Sequence, residues 1–143
     1  MIIPPELKKI ITKRYNSHKN RCEGLGKIPP TKEIITEVLV ESWKKGFLCD
    51  YCKTQMLIKD YPPFRHVPSI DHIKPISMGG SSLKDNLTVC CFGCNIIKGT
   101  LNGNTYIELL GKIGVGSELY KQIFKESFNG KLANKIQRKK EEQ

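Results

Sequence analysis

Two Cys-x-x-Cys pairs, Cys49-Asp-Tyr-Cys52 and Cys91-Phe-Gly-Cys94, are the residues here whose spacing most directly specifies chemistry. A two-residue gap lets both sulfurs of a turn reach one ion, and two such turns complete a tetrahedral thiolate zinc site. Four thiolates leave no open position, so this zinc is structural. It staples a module whose core is too small to hold alone, with a contribution on the order of 10 kcal/mol. The 38 residues between the pairs exceed the usual ribbon spacing, so the insert must fold as a hairpin that brings its ends together. Cys90 lacks the two-residue spacing to Cys94 and, on a strand, faces away from Cys91. It is expected to be a buried apolar thiol. Cys22 stands alone and is expected to be structural.

Inside the insert lie Ile70-Asp71-His72-Ile73-Lys74-Pro75, then Gly79-Gly80, then Asp85-Asn86-Leu87. The second cysteine pair runs into Asn95-Ile-Ile-Lys98-Gly99. Taken singly these are bland: an Asp-His pair is common surface or capping chemistry, Asn95 could cap a helix, and Asn86 and Gly79-Gly80 could be turn residues. In this order, and bracketed by the cysteines, the series resembles the HNH endonuclease family over about residues 47–100. The flanking thirds resemble nothing specific.

The resemblance implies a two-stranded hairpin followed by a helix, wrapped around a divalent ion, and hydrolysis of phosphodiesters. A water must be deprotonated in line with the leaving oxygen, and a cation must stabilise that oxygen. His72 is the expected general base, a role typically worth about 10²–10⁴-fold. By resemblance Asp71 and Asn95 hold the ion, making this an H-N-N variant; oxygen ligands favour Mg²⁺ or Mn²⁺ over a second zinc. Asn86 pins the loop and the histidine backbone, and Lys98 corresponds to a basic residue near the phosphate. His66 precedes the motif and could sit near the site, though loop or strand filler is the expectation, and His18 has no context. Arg65 and Lys74 flank the motif and are expected to be solvated surface.

Several elements must position these groups. Pro4 and Pro5 suit the start of a helix carrying Leu7, Ile10, Ile11 and Arg14 over 6–15. Asn16 to Pro30 reads as loop. Thr31 is a plausible N-cap for a second helix with an Ile34, Ile35, Val38, Leu39, Trp43 stripe, stopped near Gly46. Ser69–Ile73 and Leu87–Cys90 read as short strands, with helical character from about Asn95. Thr105-Tyr-Ile-Glu108 has the form of a capping box for a helix carrying Ile107, Leu110 and Ile113. Ser117–Phe128 is amphipathic, with Leu119, Tyr120, Ile123 and Phe124 on its apolar side, and 131–143 is a charged tail of weak helical promise. The expected class is α+β: an N-terminal helical extension (1–46), a ββα-metal core with its four-cysteine zinc (47–100), and a C-terminal helical extension and tail (101–143).

Over 143 residues the net charge is +10, about half of it in the first third. A polyanionic partner follows naturally, because each Lys or Arg set against a phosphate releases counterion. With the resemblance, the expected partner is DNA, in its double-stranded form. The chain lacks a bilayer-length apolar run and a signal-peptide layout, so a soluble cytoplasmic protein, monomer or homodimer, is the expectation. The competing readings are a non-catalytic zinc-stapled nucleic-acid-binding module and an RNA-directed nuclease.

Overall fold

Pro5 opens the first helix, α1 (Pro5–Gly24), where its missing N–H costs nothing. In this computed structural model, which describes residues 2–58 and 64–141, α1 runs well past the expected end at residue 15. The helix breakers of the supposed loop, Gly24, Gly26, Pro29 and Pro30, all lie at its far end. Before them the buried stripe Leu7, Ile10, Ile11 continues at helical spacing through His18 and Cys22. Leu7, Ile10 and Ile11 are almost fully enclosed, each contributing about 1.5–3 kcal/mol of burial.

Thr31 caps α2 (Lys32–Lys44), its hydroxyl accepting from the Ile34 N–H at 3.2 Å. Ile35, Val38 and Leu39 are buried against the core. The chain then folds over 48–55 into a tight loop closed by a bridge between Leu48 and Gln55, which presents Cys49 and Cys52 together.

Strands β1 (Pro68–His72) and β2 (Leu87–Cys91) pair antiparallel, with Ile70 opposite Val89 and Asp71 opposite Thr88. β1 is buried at every position rather than alternately, because α1 covers one face and α3 the other. β2 leads directly into α3 (Phe92–Lys98), which begins three residues earlier than expected because Cys91 itself caps it. Period-two alternation sends Ile70 and His72 toward α1, and Ser69 and Asp71 toward α3. Their side-chain partners agree: the His18 ring lies against that of His72, while Asn95 and Lys98 bond Ser69 and Asp71.

Two C-terminal helices complete the described chain, α4 (Gly103–Ile113) and α5 (Glu118–Glu141). The capping box is not used: Asn102 caps α4, accepting from the Asn104 N–H at 3.1 Å, and Gly103 N–H bonds the Ile73 carbonyl at 2.9 Å. Starting the helix there turns Tyr106 and Leu110 inward and leaves Ile107 half-exposed, contrary to the expected apolar face. In α5 Tyr120 is buried while Leu119 is exposed, and the helix continues into the tail expected to be weakly structured. Residues 142–143 of that tail lie outside the described residues. One buried cluster draws side chains from α1, α2, the cysteine loop, both strands, α4 and α5, so the flanking helices share the core of the central hairpin. No described helix is long and apolar enough to cross a membrane.

Candidate active site and metal centre

Cys49, Cys52, Cys91 and Cys94 are buried, with all four sulfurs within 4.8 Å of one another. A tetrahedral ion with bonds of about 2.3 Å separates its ligands by ~3.8 Å, and the Cys52 and Cys91 sulfurs stand 3.8 Å apart. The donor set therefore fits zinc. Hydrogen bonds from Cys49, Cys91 and Cys94 pull the Cys52 thiol far below its ordinary value, while those with Cys49, Cys52 and Cys94 push Cys91 far above its own. Such a crowd of sulfurs favours a cation over four separate protons. Tyr120 Oη lies 3.3 Å from Cys94 Sγ, and Arg65 stacks on the Tyr120 ring at 4.5 Å, so α5 covers the cluster. Arg65 is thus a packing residue, not the solvated one expected. Cys90 is fully buried beside the cluster but outside it, and burial raises its thiol pKa.

The Asp71, His72 and Asn95 side chains meet at a cleft of about 310 Å³ along the free edge of β1. Its lining includes Arg21 of α1, Asn95 of α3, and Pro75 and Ile76 of the loop after β1. Asp71 accepts from Tyr51 Oη at 2.7 Å and pairs with Lys98, whose Nζ is 3.1 Å from Oδ2. The same ammonium donates to the His72 carbonyl at 3.2 Å. Lys98 is 2% exposed. It therefore neutralises a buried carboxylate and fixes the β1 backbone. Asn95 donates through Nδ2 to Ser69 Oγ at 2.6 Å, which leaves its amide oxygen for a cation. An anionic carboxylate with spare lone pairs and an amide oxygen at one cleft is a donor set that suits a hard divalent ion.

His72 is held from two sides. Ser82 spends its hydroxyl hydrogen on the Ile28 carbonyl at 2.8 Å, so its oxygen accepts from His72 Nε2–H at 3.1 Å. This fixes the neutral tautomer and leaves the Nδ1 lone pair to take a proton. On the other side the His18 ring lies 5.5 Å away, tilted by 52°. His18 donates from Nε2 to the Ile70 carbonyl at 3.0 Å, and burial holds its pKa down to about 4, so it is neutral at ordinary pH. Burial also lowers the His72 pKa; Asp71 opposes that shift, and Arg21 and Lys98 reinforce it.

Asn86 stands off the cleft. Its Oδ1 accepts from the Lys74 N–H at 2.9 Å, and its Nδ2 donates to the carbonyls of Lys74 and Ser81 at 3.0 and 2.8 Å. It clamps the loop that follows His72. Gly79 turns that loop with φ of +85°, and a Cβ on Gly80 would meet the Lys74 carbonyl oxygen at 1.9 Å. Gly80→Ala is therefore expected to lower stability by about 1–3 kcal/mol in denaturant titration. Gly24→Ala, where a Cβ meets nothing within 4 Å, serves as the control. Equal midpoints for the two variants would show that the loop yields without cost.

Of the residues expected from the sequence, Asp71, His72 and Asn95 come together at the cleft, the four cysteines cluster, and Asn86 clamps the adjoining loop, while Ser82, His18 and Arg21 beside them were not expected. His66 lies on the zinc side, where the Cys52 charge reaches it, and not at the cleft. Lys74 is exposed, as expected. His18 could have been found from its place three and four residues beyond Tyr15 and Arg14 on the α1 stripe. Ser82 and Arg21 carry no local signal.

An antiparallel hairpin, a following helix, a four-sulfur cluster at their base that could hold zinc and an Asp-His-Asn cleft define a ββα module. The HNH endonuclease family model matches residues 49–101, and this segment is an HNH domain. No curated protein matches the chain.

Proposed function

We propose that the protein is a metal-dependent endonuclease that hydrolyses phosphodiester bonds in double-stranded DNA. The observation that carries this reading is the meeting of Asp71, His72 and Asn95 at one cleft within the HNH domain. His72 takes a proton from water at Nδ1, while the Ser82 oxygen holds Nε2–H and stabilises the imidazolium that forms. Asp71 and Asn95 would hold Mg²⁺ or Mn²⁺, which supplies a Lewis acid for the phosphate and the leaving oxygen. Tyr51 and Lys98 fix the Asp71 carboxylate, and Asn86 keeps the loop after His72 from opening. The four cysteines keep their zinc apart from the reaction. The +10 charge favours a nucleic acid, and a stiff double strand offers phosphates at fixed spacing to a basic surface.

Digestion of supercoiled plasmid with Mg²⁺ or Mn²⁺ tests the reading. One site cuts one strand, so nicked circles are expected first, with no product when EDTA exceeds the metal. Labelled RNA in competition is expected to be cut more slowly. Faster cutting of RNA would move the substrate class, and tight DNA binding without cleavage at any metal concentration would leave a binding module.

A further inference from the structure

Resting on the nuclease reading, we propose that Arg21 of α1, outside the HNH domain, is the cation that grips the scissile phosphate. The cleft that holds Asp71, His72 and Asn95 is lined by Arg21 of α1 as well. Arg21 is exposed, and its guanidinium makes no hydrogen bond or ion pair among the described residues. The other cation of the site, Lys98, is enclosed and committed to Asp71. A phosphate entering the cleft would therefore meet one uncommitted positive charge.

Arg21 is also held in place. It lies three residues after His18, which is bonded to the Ile70 carbonyl and packed on the His72 ring. Cys22, the next residue, is buried. The backbone that carries the guanidinium is thus locked to β1 next to the Asp-His pair. A basic residue in the last turn of a helix also complements the helix dipole, but that role needs no placement on the cleft. A guanidinium fork can bond two non-bridging phosphate oxygens at once, which an ammonium cannot. With a water at His72 and a metal at Asp71 and Asn95, Arg21 would supply the remaining side of the phosphate cage.

Arg21→Ala, Arg21→Lys and a far-face control, Lys9→Ala, compared in single-turnover cleavage and in salt-dependent DNA binding, test the proposal. Arg21→Ala is expected to slow cleavage on the order of 10–10²-fold and to reduce the salt slope of binding by about 1. Arg21→Lys should restore the slope but only part of the rate. Lys9→Ala should keep the wild-type rate, and unchanged thermal unfolding of all three excludes a folding defect. Wild-type rate and slope in Arg21→Ala would overturn the proposal, and a full rate in Arg21→Lys would overturn the fork. If the wild-type protein cuts nothing, the nuclease reading fails, and the salt slope alone decides whether Arg21 contacts phosphate.

Discussion

Replacing His72 with alanine is expected to slow DNA cleavage by about 10²–10⁴-fold while leaving DNA affinity within about twofold. The split follows from geometry. His72 is 5% exposed and spends Nε2–H on Ser82, so little of it is available to grip a polyanion. Its free nitrogen matters only when a water must lose a proton. The pH dependence should carry the same signature. Burial lowers the His72 pKa below the ordinary 6.5, and a general base works only when neutral. Wild-type cleavage should therefore persist below pH 6.5 and fall as pH drops through the lowered value, whereas the alanine variant should lose that acid limb. Equal single-turnover rates for variant and wild type would remove His72 from the mechanism. A large loss of affinity would instead mark it as a binding residue.

The parts legible in the sequence were those encoded by local spacing. Two-residue gaps placed the zinc cysteines, because a turn of that length has few ways to present both sulfurs. Alternation and turn residues placed the hairpin: β1 begins and ends one residue before the expected Ser69–Ile73, and β2 runs one residue past the expected Leu87–Cys90. The parts that stayed hidden depend on contacts between distant segments. His18 reaches Ile70 across 52 residues, and Ser82 reaches Ile28 across 54. Lysine is rarely enclosed; only the position of Asp71 opposite α3 explains why Lys98 is. The α1 error has a similar cause. A polar stretch reads as loop until His18 and Cys22 are recognised as the continuation of the Leu7–Ile11 stripe, filling a groove beside β1. A helix expected to be an extension is, in consequence, one wall of the cleft.

Loss of zinc should have the largest effect on the folded state. Apart from the two strands, the described residues between the cysteine pairs form only three short 3-10 turns and irregular stretches, and closure depends on the cysteine loop meeting the β2–α3 junction. Asp50 N–H bonds the Val89 carbonyl at 3.0 Å and Phe92 N–H the Val67 carbonyl at 2.8 Å, but these bonds span segments that the sulfurs bring together. A structural zinc contributes on the order of 10 kcal/mol, comparable to the whole stability of a typical domain, about 5–15 kcal/mol. Cys91→Ser is therefore expected to abolish stoichiometric zinc binding and cooperative unfolding together, as read by metal analysis and near-ultraviolet circular dichroism. Cys90→Ala, next along the strand but facing away, should keep one zinc per chain and lose only about 1–2 kcal/mol. The contrast separates a ligand from a buried thiol one residue away. The Asp71-His72-Asn95 cleft should fail with the zinc, since Asn95 directly follows Cys94 and Ser69, which orients it, pairs with Cys90 in the hairpin. A Cys91→Ser protein that unfolds at the wild-type midpoint would show that the hairpin closes without the metal, and the cysteine cluster would then have no structural role.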